Sequence, residues 1–271
     1  MTEPFTFGIP LIAPAGARSW ARVGIILART LRSILAQDDP DFRVLIAGHA
    51  LPEACADLAR DRILFLPAAW PPEPPTGAND DGGRKKCLLR DAVLGAGGGL
   101  LMFVDADDLV DRATVSTARR LIGPEHIGGT IAHGLAIDHA TGLAVSLPDP
   151  RVSPARFHEL CGSSIVARYR PGMPDPYHRL GWHNHWPENA RRLGVPLAEL
   201  PLWGGYLVGT GESHSELHGP LSGWKREFTR NVRAHGTPLT GLLAHRLGWN
   251  AGLPAPGVAT DERMTERADA L

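Results

Sequence analysis

The sequence predicts an α/β fold with a mostly parallel central sheet flanked by helices, and two observations carry this prediction. Three strand-then-helix units follow one another in the first third of the chain, and such units wind into a parallel sheet with right-handed crossovers. The apolar run Leu100–Val104 then suits a strand buried on both faces. It ends abruptly in three carboxylates, Asp105, Asp107 and Asp108.

The N-terminal elements follow from periodicity. Phe5–Pro14 is predicted as the first strand, and the helix after it has apolar residues at helical spacing over Val23–Leu35. Phe42–Ala47 is the second strand. A short helix over Glu53–Arg60 and a third strand over Arg62–Leu66 repeat the unit.

A stretch rich in proline and glycine, Trp70–Gly83, interrupts this alternation. We expect a long loop there, because neither a helix nor a central strand accommodates so many of these residues. A helix is then predicted to begin at Arg84-Lys85-Lys86 and to run to Leu94, before the strand at Leu100.

The second half of the chain has a less regular pattern. Alternation around a turn predicts a hairpin of Thr130–Asp138 with Leu143–Leu147. Further predicted elements are a strand at Leu160–Ala167, a loop over Tyr169–Pro187, a helix over Pro187–Leu193, a strand at Tyr206–Gly209, and two helices after Leu221, near residues 224–232 and 239–247.

Composition excludes several classes of function. The 28 basic and 29 acidic residues give a net charge of −1, which provides no field for binding nucleic acid. No apolar run is long enough to span a membrane, and the broken apolar stretch near the N-terminus predicts no secretory signal. Three widely spaced cysteines indicate neither a disulfide framework nor a metal motif. We therefore expect a cytoplasmic protein.

The acidic turn is the first candidate site. Ligands of open α/β sheets bind at the carboxyl ends of the strands, and carboxylates there suit a divalent cation with a phosphorylated ligand. The structural alternative is that Asp107 and Asp108 cap a helix beginning near Arg112. The glycines at 95–99 precede a strand and lack the spacing of a dinucleotide fingerprint.

Three segments together resemble a known family. They are Leu31-Arg32-Ser33-Ile34-Leu35-Ala36-Gln37, Arg84-Lys85-Lys86 and Val104-Asp105-Ala106-Asp107-Asp108. Their order resembles the GT-A fold glycosyltransferases of the family 2 type over roughly residues 5–120. The resemblance implies a GT-A, Rossmann-like sheet with a more irregular acceptor-side half. It also implies transfer of a sugar from a nucleotide-diphosphate sugar to a hydroxyl acceptor.

The resemblance also implies roles for the acidic residues and for one histidine. Asp107 would bind Mn²⁺ or Mg²⁺, and Asp105 would approach the ribose or a metal-bound water. His214 would be a second metal ligand, for which His218 could substitute. A divalent cation neutralises charge that develops on a diphosphate leaving group.

Four further residues are implied as contacts of the nucleotide. Lys85 and Lys86 would meet phosphate at a helix start, and the turn containing Ala15 and Arg18 would line the base and ribose. The alternative for the lysines is a solvated charge run. The implied domains are a catalytic domain over residues 1–220, divided near 125 into donor and acceptor sides, and a helical extension with a tail over 221–271.

Two departures from the family affect the mechanism. The second strand ends in Ala47-Gly48-His49, where the family commonly has an acidic turn. The Glu-Asp pair of inverting members is absent from the comparable stretch, Trp182–Trp186. Either His183 or His185 serves as the base, or the enzyme is retaining, or it is inactive. The tryptophans there suit stacking on a sugar, or are ordinary core residues.

Other functions stay open at this point. A metal-dependent hydrolase would use His183, His185 and His214 with Asp107. A non-catalytic relative would bind the nucleotide or sugar, and the missing Glu-Asp pair favours it. A nucleotidyltransferase lacks support because its glycine-rich loop is absent after the first strand. The amphipathic stretch after Leu221 leaves contact with a membrane surface or a partner open, although packing on the catalytic domain is favoured.

Overall fold

The N-terminal strands pair in parallel in the order β3-β2-β1-β4. In the computed structural model, which describes residues 2–55, 58, 61–73, 79–218 and 220–249, these are β1 (Phe5–Pro10), β2 (Arg43–Gly48), β3 (Ile63–Pro67) and β4 (Gly99–Phe103). β1 lies between β2 and β4 with Thr6 opposite Arg43 and Leu101. The predicted strands are confirmed, with the first ending at Pro10.

Two long helices cover opposite faces of this parallel region. α1 (Trp20–Leu35) packs Leu27, Leu31 and Ile34, all fully buried, into the main core. α2 (Asp80–Gly95) packs Leu89 and Val93 on the other face. The 3.6-residue spacing of these apolar side chains is what gives each helix one core-facing stripe.

The start of α2 corrects the sequence prediction. The helix begins at Asp80 and not at Arg84, because Asn79 adopts a left-handed conformation (φ 53°) and its side chain accepts a hydrogen bond from the Gly82 amide. Asp80 and Asp81 in the first turn complement the helix dipole. Lys85 and Lys86 therefore lie in the second turn, so the helix N-terminal amides are not beside them.

Part of the predicted region between β2 and α2 lies outside the described residues. The short helix predicted over Glu53–Arg60 begins as a single 3₁₀ turn, Glu53–Cys55, and residues 56, 57, 59 and 60 are not described. The same holds for residues 74–78 of the predicted loop.

The second half continues the sheet with mixed pairing. β8 (Ile165–Tyr169) runs antiparallel to β4 and to β6 (Gly128–Asp138), and β6 pairs with β7 (Leu143–Leu147) in the predicted hairpin. β9 (Ala198–Val208) lies parallel to β6 and pairs with the short β5 (Asp108–Leu109). The remaining helices are α3 (Thr114–Leu121), α4 (Phe157–Leu160), α5 (Pro176–Leu180) and α6 (Trp186–Leu193).

Two predicted strands differ in length. β8 begins later than predicted, because the Ser163 and Ser164 hydroxyls bond locally and across the turn instead of leaving the segment to pair as strand. β9 begins eight residues earlier than the predicted Tyr206, because pairing with β6 extends through Pro201 and its two glycines. A Cβ at Gly204 would lie 2.0 Å from the Phe157 ring, so this ring requires a glycine there.

The C-terminal segment completes the same sheet. It comprises α7 (His214–Leu217), α8 (Ser222–His235), β10 (Thr237–Pro238) and α9 (Gly241–Arg246). The helix predicted near residues 224–232 is confirmed as α8, whose Phe228 and Val232 join the main core, and β10 pairs with β7. The predicted tail, residues 250–271, lies outside the description. Of the helices described, none is long and apolar enough to cross a membrane.

Candidate active site

The acidic turn lies at the carboxyl end of β4 and is fixed by Ser163. The Ser163 hydroxyl accepts a hydrogen bond from the Asp105 amide (2.8 Å) and donates one to Asp108 Oδ2 (2.6 Å). The Cys161 thiol also donates to Asp108 Oδ2 (3.2 Å). Burial raises the pKa of Asp108 to about 7, with the charge of Asp105 adding to this and the two donors opposing it. Asp108 therefore holds the turn and does not face solvent.

The capping alternative for these acids is wrong. α3 begins at Thr114, and the aspartate that bonds a backbone amide just before it is Asp111, whose carboxylate accepts from the Ala113 amide (3.0 Å) and from Arg246. Asp105 and Asp107 take no part in capping α3, and both are partly buried. The side chain of Asp105 is 45% exposed.

Asp105 and Asp107 line a cleft of about 480 Å³. Its walls come from the loop after β1, the first turns of α2, the acidic turn, and the segment before and within α7. The residues that carry functional groups into it are Glu73, Asp80, Asp81, Lys85, Lys86, Asp105, Asp107, Trp182, Glu212, Ser213, His214 and Ser215. His214 thus shares the cleft with Asp107, as the family resemblance requires.

Carboxylates outnumber cations on the walls of this cleft, six to two. Burial raises the pKa of Asp107 well above its usual range, and the charges of Asp108, Asp105 and Glu216 raise it further. A bound cation would relieve this repulsion. The donor chemistry of Asp107 and His214 therefore suits a divalent metal.

Within the described part of the chain, no group of three or more His, Cys, Asp or Glu side chains is arranged to hold a metal ion. Two protein ligands suit a hard cation that completes its coordination with water and substrate phosphate, as Mg²⁺ commonly does. They do not suit a closed structural site.

The two lysines have different surroundings. Lys85 is 1% exposed, donates to the Leu11 carbonyl oxygen (2.7 Å) and pairs with Asp81. It therefore ties the loop after β1 to α2. Lys86 keeps its ammonium 4.0 Å from Asp105 Oδ1 and 5.7 Å from the centre of the Phe103 ring, on the wall of the cleft.

The two candidate base histidines also differ. The His183 Nδ1 donates to the His158 carbonyl oxygen (2.5 Å), because a carbonyl can only accept; this leaves Nε2 with the lone pair. Asp105 Oδ2 and His183 Cδ2 flank Gly162, lying 3.4 and 3.8 Å from where its Cβ would be. Burial lowers the pKa of His183, which is therefore neutral near pH 7. His185 is exposed and His183 is half-buried; neither is among the residues that line the cleft, although the neighbouring Trp182 is.

The turn after β1 contacts the cleft through residues other than those predicted. Ala13 and Gly16 line the cleft, whereas Ala15 is exposed beside it and Arg18 lines a second pocket. His218, the alternative to His214, lies outside the wall, with its ring centre 5.4 Å from that of His214.

Sequence reasoning missed Glu212 and Lys225. Glu212 is buried at the N-terminus of α1, where its carboxylate accepts from the Arg18 amide (2.8 Å) and the Ser19 amide (3.0 Å). Lys225 is 8% exposed, with its ammonium 4.3 Å from the centre of the Tyr206 ring. Burial lowers its pKa, and the charges of Asp107 and Asp108 oppose that shift. Lys225 is thus a buried cation of α8 whose charge interacts with the acidic turn.

The strand order decides the architecture. A parallel β3-β2-β1-β4 block is followed by the antiparallel β8, and an Asp-x-Asp turn opens the cleft at the end of β4. This is the GT-A fold. No family model and no curated protein matches the sequence.

Several solved structures resemble this GT-A chain, all at low similarity. The galactosyltransferase LgtC with donor and acceptor sugar analogues is 10% identical, with a TM-score of 0.41, covering 88% of this chain and 97% of that one. A 4-diphosphocytidyl-2C-methyl-D-erythritol synthase is 11% identical (TM-score 0.39; 85% and 99%). Glucosyl-3-phosphoglycerate synthase from Mycobacterium tuberculosis, with Mn²⁺, UDP and glucosyl-3-phosphoglycerate, is 15% identical (TM-score 0.34; 91% and 80%). Since these TM-scores are below 0.5, the site residues have to carry any functional proposal.

Proposed function

We propose that the protein is a metal-dependent glycosyltransferase that moves a sugar from a nucleotide-diphosphate sugar to a hydroxyl acceptor. The observation that carries this proposal is that Asp105, Asp107 and His214 line one cleft whose walls carry an excess of carboxylates. A diphosphate is itself an anion, and such a cleft binds it through a divalent cation.

The donor side is built from Asp107, His214, Asp105 and Lys86. Asp107 and His214 would hold Mn²⁺ or Mg²⁺, which when bound neutralises charge on the departing diphosphate. Asp105 is turned toward solvent and is restrained by Ser163. It is therefore available to a ribose hydroxyl or a metal-bound water. The Lys86 ammonium, 4.0 Å from Asp105 Oδ1, supplies a positive charge that can meet the diphosphate.

The acceptor side is built from Trp182 and His183. The Trp182 ring is 69% exposed on the cleft wall and offers an apolar face on which a sugar can stack. His183 is neutral, with its tautomer fixed by the His158 carbonyl. It takes the proton of the acceptor hydroxyl at Nε2. This arrangement supplies the base that the missing Glu-Asp pair would otherwise provide.

The hydrolase alternative loses its support from the geometry. It needs His183, His185 and His214 to converge with Asp107, but of these three histidines only His214 is among the lining residues of the cleft. Among the residues described, no three-ligand cluster forms. The non-catalytic alternative is weakened by the placement of His183 and Asp105, whose side chains both lie within 4 Å of the position that a Cβ on Gly162 would take.

The test is binding and turnover with a panel of nucleoside diphosphates and nucleotide-sugars in the presence of Mn²⁺. We expect at least one nucleoside diphosphate to raise the thermal midpoint with Mn²⁺, and Asp107→Asn to abolish that rise. Asp91→Asn, an exposed acid on α2, is the matched control and should leave it unchanged. No shift with any nucleotide, or no hydrolysis of any nucleotide-sugar, would overturn the proposal.

A further inference from the structure

A second pocket, of about 730 Å³, lies on the other side of the segment that carries His214. It is formed by α8, the segment before α1, the loop at residues 209–211 and the end of α7. Its charged lining residues are Arg18, Glu216, Lys225, Arg226, Arg230 and Arg233. Five cations against one carboxylate make this pocket strongly basic in a chain whose net charge is −1.

The single carboxylate of the pocket is already satisfied. Glu216 accepts from the amides of Gly209 (2.7 Å) and Gly211 (2.8 Å) and from the Thr210 hydroxyl (3.2 Å). It shapes the loop and forms no ion pair with Arg18, Arg226 or Arg230. Arg233 is paired with Asp138 (2.8 Å) and is anchored by that bond.

Three other guanidinium groups of the pocket differ from that of Arg233 in their surroundings. Within the described residues, the side chains of Arg18, Arg226 and Arg230 form no ion pair or hydrogen bond with the protein, and all three are exposed. Arg226 and Arg230 are four residues apart on α8, where like charges repel across one helix turn. The guanidinium groups that line this pocket are therefore open to an anionic ligand.

The pocket and the cleft share one wall. Glu212, Ser213, His214 and Ser215 line the cleft, while Gly209, Gly211, Glu216 and Leu217 line the pocket. Lys225 lies on the pocket side and is attracted by Asp107 on the cleft side. A ligand in the pocket would thus lie next to the reacting groups of the cleft.

We propose that this basic pocket binds a phosphate group of the acceptor, which makes the acceptor a phosphorylated molecule. Several guanidinium groups converging on one cavity suit phosphate, which offers three strong acceptor oxygens and forms bidentate bonds with arginine. The assignment to the acceptor rests on the proposed function, because the acidic cleft takes the donor. The presence of a phosphate site does not.

The test measures inorganic phosphate binding by calorimetry at constant ionic strength, for the wild-type protein and for Arg226→Gln/Arg230→Gln. We expect phosphate to bind and the double variant to weaken binding at least tenfold. Arg120→Gln/Arg191→Gln removes the same charge from two exposed arginines outside the pocket and should change nothing. An unchanged thermal midpoint of both double variants shows that they fold.

Two further ligands in the same experiment identify which kind of molecule carries the phosphate. Glycerol 3-phosphate represents a soluble ester, and phosphatidylcholine vesicles containing phosphatidic acid represent a lipid headgroup. Binding of either that is lost in Arg226→Gln/Arg230→Gln supports the phosphate site and identifies which source it takes. Absence of phosphate binding, or binding that the double variant leaves intact, overturns the proposal.

Nucleotide binding separates this proposal from the proposed function. Arg226→Gln/Arg230→Gln should bind nucleoside diphosphate with Mn²⁺ as the wild type does. Equal loss of nucleotide binding would assign the pocket to the donor and refute an acceptor role. Phosphate binding without any nucleotide binding would keep the anion site and remove the glycosyltransferase proposal.

Discussion

Replacing Ser163 with alanine removes the hydroxyl that joins the acidic turn to the segment before β8. Ser163 is 1% exposed, and its oxygen serves both the Asp105 amide and the Asp108 carboxylate. The methyl group of alanine can neither accept a hydrogen bond from the Asp105 amide nor donate one to Asp108. Ser163→Ala should therefore lower the free energy of unfolding and remove the restraint on the position of Asp105.

The magnitude follows from the two groups left without Ser163. Asp108 Oδ2 retains only the Cys161 thiol, a weak donor, and its other oxygen already has no hydrogen-bond partner. The Asp105 amide loses its acceptor. An unsatisfied buried group costs about 1–3 kcal/mol, and the Asp105 amide is only part-buried, so Ser163→Ala should lose about 2–4 kcal/mol of unfolding free energy.

Urea denaturation measures this loss, and Ser116→Ala is the matched control. The Ser116 hydroxyl also bonds an aspartate, Asp38 (2.9 Å), but at an exposed position. Its removal should change the unfolding free energy by less than about 0.5 kcal/mol. The Ser163 variant should also bind nucleoside diphosphate more weakly, because Asp105 is no longer restrained. A loss in Ser163→Ala no larger than in the control would refute the role assigned to this hydroxyl.

Three further predictions concern other side chains. Lys85→Met should lower the unfolding free energy by about 1–3 kcal/mol in urea denaturation, because Asp81 and the Leu11 carbonyl lose a buried partner; wild-type stability would show that Lys85 is not a tether. His183→Ala should reduce transfer turnover by about 10²–10⁴-fold in steady-state assays, while His185→Ala, which changes an exposed side chain, should stay near wild type; equal effects would remove His183 as the base. His139, whose pKa burial lowers to about 4, should make the fold lose on the order of 2 kcal/mol as pH falls from about 6.5 toward 4. The unfolded chain takes up the proton first over that range, and His139→Asn should flatten this part of the stability curve.

Much of the donor side of the fold could be predicted from the sequence because its signals are local. The run Leu100–Phe103 followed by acids specifies a buried strand and the chemistry at its end. The apolar spacing of α1 likewise appears in one short window. The start of α2 could not be predicted in this way, since it depends on a left-handed backbone at Asn79 before two aspartates and two glycines that favour a loop.

The unpredicted site residues are those whose partners are distant in the chain. Glu212 acts on amides 193 and 194 residues earlier, and Ser163 acts on Asp108 from 55 residues away. No spacing rule connects such pairs. Lys225 presents an ordinary helix pattern in sequence, and only the packing of α8 against Tyr206 buries it beside the acidic turn.

The carboxylate of Glu212 has a consequence for communication between the two pockets. It ties the segment between them to α1, while Glu216 folds the same segment onto its own amides. A ligand that moves this segment when it binds in one pocket therefore also moves a wall of the other pocket. Because such coupling is reciprocal, phosphate should change the affinity for nucleoside diphosphate by the same factor as nucleoside diphosphate changes the affinity for phosphate.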